Sequence, residues 1–113
     1  MKTSSLTKSI EYNEDKPFVD VLFETENTKE IRIAFRKGQA MKNHQTPFPI
    51  IVEIFEGEID FDVSGETHRL KKGDLVALEG NVQHNLSAKA DSIVRLTLSK
   101  QDKAKRVKDV VDE

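Results

Sequence analysis

The chain has 113 residues, 18 of them Lys or Arg and 20 Asp or Glu, with a formal net charge of -2 and no cysteine. A chain of this length builds one domain around a single core without covalent staples, and the missing thiols exclude disulfides, thiolate metal sites and cysteine nucleophiles. The near balance of charge offers no basic face to nucleic acid, and no apolar run reaches the roughly 20 residues of a membrane span.

The opening MKTSSLTKSIEYNEDK lacks the apolar stretch of a signal peptide, which predicts a cytoplasmic protein. Its segment from Lys2 to Ser9 is polar, either disordered or an added edge strand. FVDVLFE then alternates Val19, Val21 and Phe23 against Asp20, Leu22 and Glu24, the period of a half-buried strand. A polar connector, TENTK, has hairpin length and leads into EIRIAFRKG, with Ile31, Ile33 and Phe35 on one face. In HQTPFPI, Pro47 and Pro49 hold an extended loop. The strand after it turns Ile50, Val52 and Ile54 inward and Glu53 outward.

EIDFDVSGE sets Ile59, Phe61 and Val63 against Asp60 and Asp62, and Ser64-Gly65 turns the chain into THRLKKGD, where His68 reads as an ordinary strand residue. DLVALEG and DSIVRLTLS complete eight or nine short strands, the pattern of an all-β sandwich or antiparallel barrel. The barrel core spans about residues 18–99 of a single domain, 1–113. The polar tail, 100–113, places Ala104, Val107 and Val111 at helical spacing, which suits a lightly docked surface helix or a frayed end.

Two stretches carry a resemblance. Gly38 followed by His44, with IFEGEI ending the next strand, is similar to the first motif of the cupin superfamily, and LKKGDLVALEGNVQH, from Gly73 to His84, is similar to the second. The resemblance implies a small single-domain cupin: an antiparallel β-barrel or double-stranded jelly roll, with a short C-terminal helix or tail. It also implies a metal held by three histidines and a glutamate. Of those positions His44 and His84 match. The other histidine position is Thr46, and the glutamate position, seven residues before Gly57, is Ile50. The asparagine that often follows falls at Ala88, and EGNVQ replaces the usual turn before the last histidine.

Two imidazoles are a thin donor set for a mononuclear site, which takes three or four protein ligands. The leading expectation is therefore a cupin barrel with a degenerate metal site and no cofactor, binding a small polar or anionic molecule through His44, Thr46, Ile50, Gln83 and His84. Gln83 joins that set only if its amide turns inward. One alternative is a metal-dependent dioxygenase or isomerase in which His44 and His84 hold a divalent transition metal completed by water or substrate. Another is a non-catalytic regulatory or interaction protein. The resemblance also implies a homodimer, with IEY (Ile10 to Tyr12) a candidate strand for pairing across its interface.

Overall fold

A computed structural model describes residues 1–101, 107, 108, 110 and 111. Among the described residues nine strands follow in chain order: β1 (Phe18–Glu24), β2 (Thr28–Phe35), β3 (Ala40–His44), β4 (Ile50–Glu56), β5 (Glu58–Val63), β6 (Glu66–Lys71), β7 (Leu75–Leu78), β8 (His84–Ala88) and β9 (Ser92–Ser99). They form a five-stranded sheet, ordered β1-β2-β9-β4-β7, facing a four-stranded sheet, ordered β3-β8-β5-β6. The fold is the expected all-β barrel of the jelly-roll type.

Alternation does most of the sorting. Ile31, Ile33 and Phe35 of β2, Ile50, Val52 and Ile54 of β4, and Val94, Leu96 and Leu98 of β9 are all buried in one core with Ile59, Phe61 and Leu86 of the facing sheet. Burying each such side chain contributes about 1.5–3 kcal/mol. Glu53 is turned to the outer face, where its carboxylate accepts from Arg95 Nε at 2.7 Å, and Glu30 accepts from Arg95 Nη1 at 2.9 Å. The Glu53 hydrogen bond raises the Arg95 guanidinium above its ordinary value, against the opposing effect of burial. This charge cluster lies on the far side of the sheet from the core.

Three expectations give way to local structure. The first is in β1, where the register shifts between Val21 and Phe23, so that Phe23 pairs with Glu30 rather than continuing the inward row of Val19 and Val21. One extra residue, Leu22, forms a bulge, and a bulge reverses every later side chain. The second concerns Ile10–Tyr12, which forms no strand within the single chain; the Tyr12 ring lies 3.8 Å beneath the Arg36 guanidinium. The third is the tail. Val107, Lys108, Val110 and Val111 are helical, and Val107 and Val110 are buried in the main core rather than lightly docked. Ala104 lies outside the described residues.

The polar segment before β1 is neither a strand nor detached. Arg32 of β2, 3 % exposed, donates from Nη1 to the carbonyls of Ser5 and Lys8, both at 2.9 Å. Its Nη2 reaches the Ser9 carbonyl at 3.1 Å and Asp20 Oδ2 at 3.0 Å. Three main-chain acceptors and one carboxylate therefore draw the N-terminal segment across the outer face of β1 and β2.

Between β4 and β5 the chain turns at Gly57, with φ at +93°. A Cβ there would sit 2.5 Å from the Asp91 carbonyl oxygen, 2.7 Å from Ser92 Cα and closer still to Ser92 Oγ. Gly57→Ala therefore combines a left-handed backbone with a collision against β9. The expected loss is about 2–4 kcal/mol of unfolding free energy, measured as a lowered urea midpoint at unchanged slope. A variant as stable as the parent would show that the turn relaxes freely.

Candidate functional site

The site forms where β3 and β8 run side by side, and a bulge builds it. Met41 pairs with Leu86 and His44 pairs with His84, so three steps along β3 match two along β8. Strict alternation from the buried Met41 would turn Asn43 inward and His44 outward. The extra residue reverses them. Asn43 is exposed, and its Nδ2 donates to Gln83 Oε1 at 3.2 Å. The His44 and His84 rings meet inside the barrel, with centroids 4.3 Å apart and planes tilted by 59°. His84 is 3 % exposed and stacks on Phe61 of β5 at 5.6 Å.

Each ring is fixed by its own backbone. His44 Nδ1 lies 2.7 Å from the Lys42 carbonyl oxygen, and His84 Nδ1 lies 2.9 Å from that of Val82. A carbonyl oxygen only accepts, so each Nδ1 carries a hydrogen and donates it. The tautomer follows: in the neutral ring, Nε2 is the acceptor nitrogen.

Thr46 is placed by a clasp between two loops. Asn81, in the left-handed region at φ 65°, donates its N–H to the Thr46 carbonyl at 2.6 Å. Beside it Gly80 abuts the Pro47 carbonyl so closely that a Cβ would lie 2.9 Å from the carbonyl carbon. Thr46 is thereby 3 % exposed, and its Oγ1 accepts the Phe48 N–H at 3.3 Å. The EGNVQ stretch thus keeps a working turn with different residues.

His44, Thr46, Ile50 and His84, four of the five residues expected in the site, line one cavity. The remaining wall is aliphatic, from Ile33, Met41, Val52, Leu86, Leu98 and Val107 among others. Gln83 is the exception. It is exposed in the segment just before β8, where it accepts from Asn43 and lines a surface depression with Asn43 and Asn85 rather than the barrel cavity. The amide does not turn inward. Met41 and Val107 escape a reading of the motifs alone: the first sits three residues before His44, and the second belongs to a tail that is otherwise charged. The free space left in the cavity is about 20 Å³, room for about one water molecule.

The metal that the fold implies does not fit this donor set. Among the described residues no group of three or more His, Cys, Asp and Glu side chains comes together. Ile50 offers hydrocarbon where a carboxylate would offset the cation, and Thr46 offers a hydroxyl where an imidazole would bind. Two imidazoles fall short of the three or four ligands that give tight binding.

A small single domain whose two antiparallel sheets close around a histidine-bearing cavity is a jelly-roll barrel of the cupin class. Residues 31–99 match the family described as Cupin domain, and the chain belongs to that family. No curated protein matches it. Among solved structures it is similar to an RmlC-like cupin from Desulfovibrio desulfuricans, with a TM-score of 0.81 and 22% identity, covering 88% of this chain and 96% of that one. It is similar also to TT1209 from Thermus thermophilus, at TM-score 0.79 and 21% identity over 88% of this chain and 98% of the other. KdgF from Halomonas sp. matches at 0.65 and 23% identity, over 72% and 77% of the two chains. At these identities the likeness is one of fold. No helix among the described residues is long and apolar enough to cross a membrane.

Proposed function

We propose that the barrel is a binding module for a small molecule with an aliphatic body and one acidic or polar head, and that its activity involves no catalytic step. One observation carries the reading: His44, Thr46 and His84 gather in a cavity whose other walls are aliphatic. An apolar pocket with a few convergent polar groups is the usual form of a ligand site. The aliphatic wall supplies affinity through burial, and the imidazoles fix the head.

The test is a titration of the full chain with straight-chain carboxylates from acetate to hexanoate, followed in 1H–15N spectra. Affinity is expected to rise with chain length, as more of the aliphatic body is buried. Either His44→Phe or His84→Phe should weaken hexanoate by about tenfold or more, the worth of a charge-assisted hydrogen bond. Binding that ignores both substitutions would contradict the reading. A second reading, a filled barrel that acts through its surface as an interaction module, is favoured by the small free space. It predicts that no carboxylate in the series binds.

A further inference from the structure

The cavity that holds the two histidines is closed in part by the chain's own tail. Val107 lies in a helical stretch beyond the last strand, is 3 % exposed, and lines the same cavity as His44, Thr46 and His84. Val110 and Val111, on the same helix, join it against the core. Around them the tail sequence, KQDKAKRVKDVVDE, is almost wholly charged. A segment of that composition has few apolar groups to hold it; among the described residues Val107 and Val110 are buried and Val111 partly so. The cavity meanwhile retains room for only about one water with Val107 in place. An isopropyl group therefore occupies space in which a small ligand's aliphatic body would lie.

We infer that Val107 is a built-in competitor for the barrel cavity, so that ligand entry and tail docking are mutually exclusive. This rests on the ligand reading above and adds its regulation. Each ligand bound withdraws Val107 from the cavity and releases the helical stretch that carries it. The ligand's apparent affinity is accordingly set by the fraction of molecules whose tail is undocked. The consequence is a barrel that reports occupancy through its tail.

Two probes separate this inference from the ligand reading. Xenon fills dry aliphatic cavities and needs no head group. In full-length protein, Val107→Ala should bind xenon detectably by 129Xe chemical shift, whereas the parent should not. Equal xenon uptake by both would overturn the inference whatever the fate of the carboxylates. With hexanoate, Val107→Ala should bind about tenfold more tightly than the parent. In the parent, the amides of Val107, Lys108, Val110 and Val111 should move toward disordered shifts as hexanoate saturates. Hexanoate binding with those amides unmoved, and with no gain in Val107→Ala, would leave the ligand reading standing and sink the competition. Should hexanoate bind neither protein, the ligand reading fails, and the xenon comparison alone decides whether Val107 plugs the barrel.

Discussion

The double variant Thr46→His, Ile50→Glu is expected to bind Zn2+ or Ni2+ at least about a thousandfold more tightly than the parent chain. His44 and His84 already face one another across a strand pair, with ring centroids 4.3 Å apart. Thr46 and Ile50, 3 % and 5 % exposed, line the same cavity. Two substitutions thus turn two donors into four and add the negative charge that the cation requires. Without metal, the new carboxylate lies on β4 between Leu78 and Leu98, its cross-strand neighbours. Its burial should cost several kcal/mol or force it to take up a proton. The apo double variant should therefore melt well below the parent and recover on adding metal. Competition against a chelator measures the affinity, and thermal melts with and without Zn2+ measure the recovery. No gain in affinity would mean that the two loops do not hold these four positions around one point.

Arg32→Met is the second large effect. The guanidinium is nearly inaccessible and satisfies the carbonyls of Ser5, Lys8 and Ser9 together with Asp20. Methionine covers much of the same surface but donates nothing. Hydrogen bonds to a charged group contribute about 1.5–3 kcal/mol each in favourable cases. Here the released carbonyls can turn to water, which limits the net loss to about 2–4 kcal/mol. The loss should be accompanied by release of the N-terminal segment, so trypsin should cut after Lys8 far faster than in the parent. An unchanged urea midpoint with Lys8 still protected would show that apolar contacts hold the segment instead.

These two predictions mark the boundary of what the sequence makes legible. The period of two in β2, β4, β5 and β9 is a local signal, because a sheet with one buried face demands it. From it the inward rows of Ile50, Val52, Ile54 and of Val94, Leu96, Leu98 can be read directly. The two motifs were enough to bring His44, Thr46, Ile50 and His84 together. Bulges are different. The extra residue in β3 is visible only in the pairing with β8, and it alone turns His44 inward and Asn43 outward. Leu22 in β1 works the same way, so the apparent inward run of Val19, Val21 and Phe23 breaks at its third member.

Gln83 shows the opposite error. Nearness in sequence to His84 does not carry Gln83 into the cavity: it precedes β8, and its side chain lies beside Asn43 on the outer face. Arg32 and Val107 lie beyond either rule. Each depends on a chain terminus folding back over the barrel. Arg32 reads as an outward strand residue until the N-terminal carbonyls arrive to meet it, and Val107 reads as part of a solvated tail until the barrel mouth accepts it.

The most direct test of the account is a long-range 1H–15N spectrum of the imidazole nitrogens, recorded while the full chain is titrated with hexanoate. Both His44 and His84 should begin with Nδ1 protonated, held by the carbonyls of Lys42 and Val82. On saturation their Nε2 signals should shift together, while His68, which stands half-exposed on β6 beside Glu66, should stay in place. Imidazole signals that remain unmoved at concentrations where hexanoate shifts the barrel's backbone amides would contradict the claim that these two rings receive the head of a ligand.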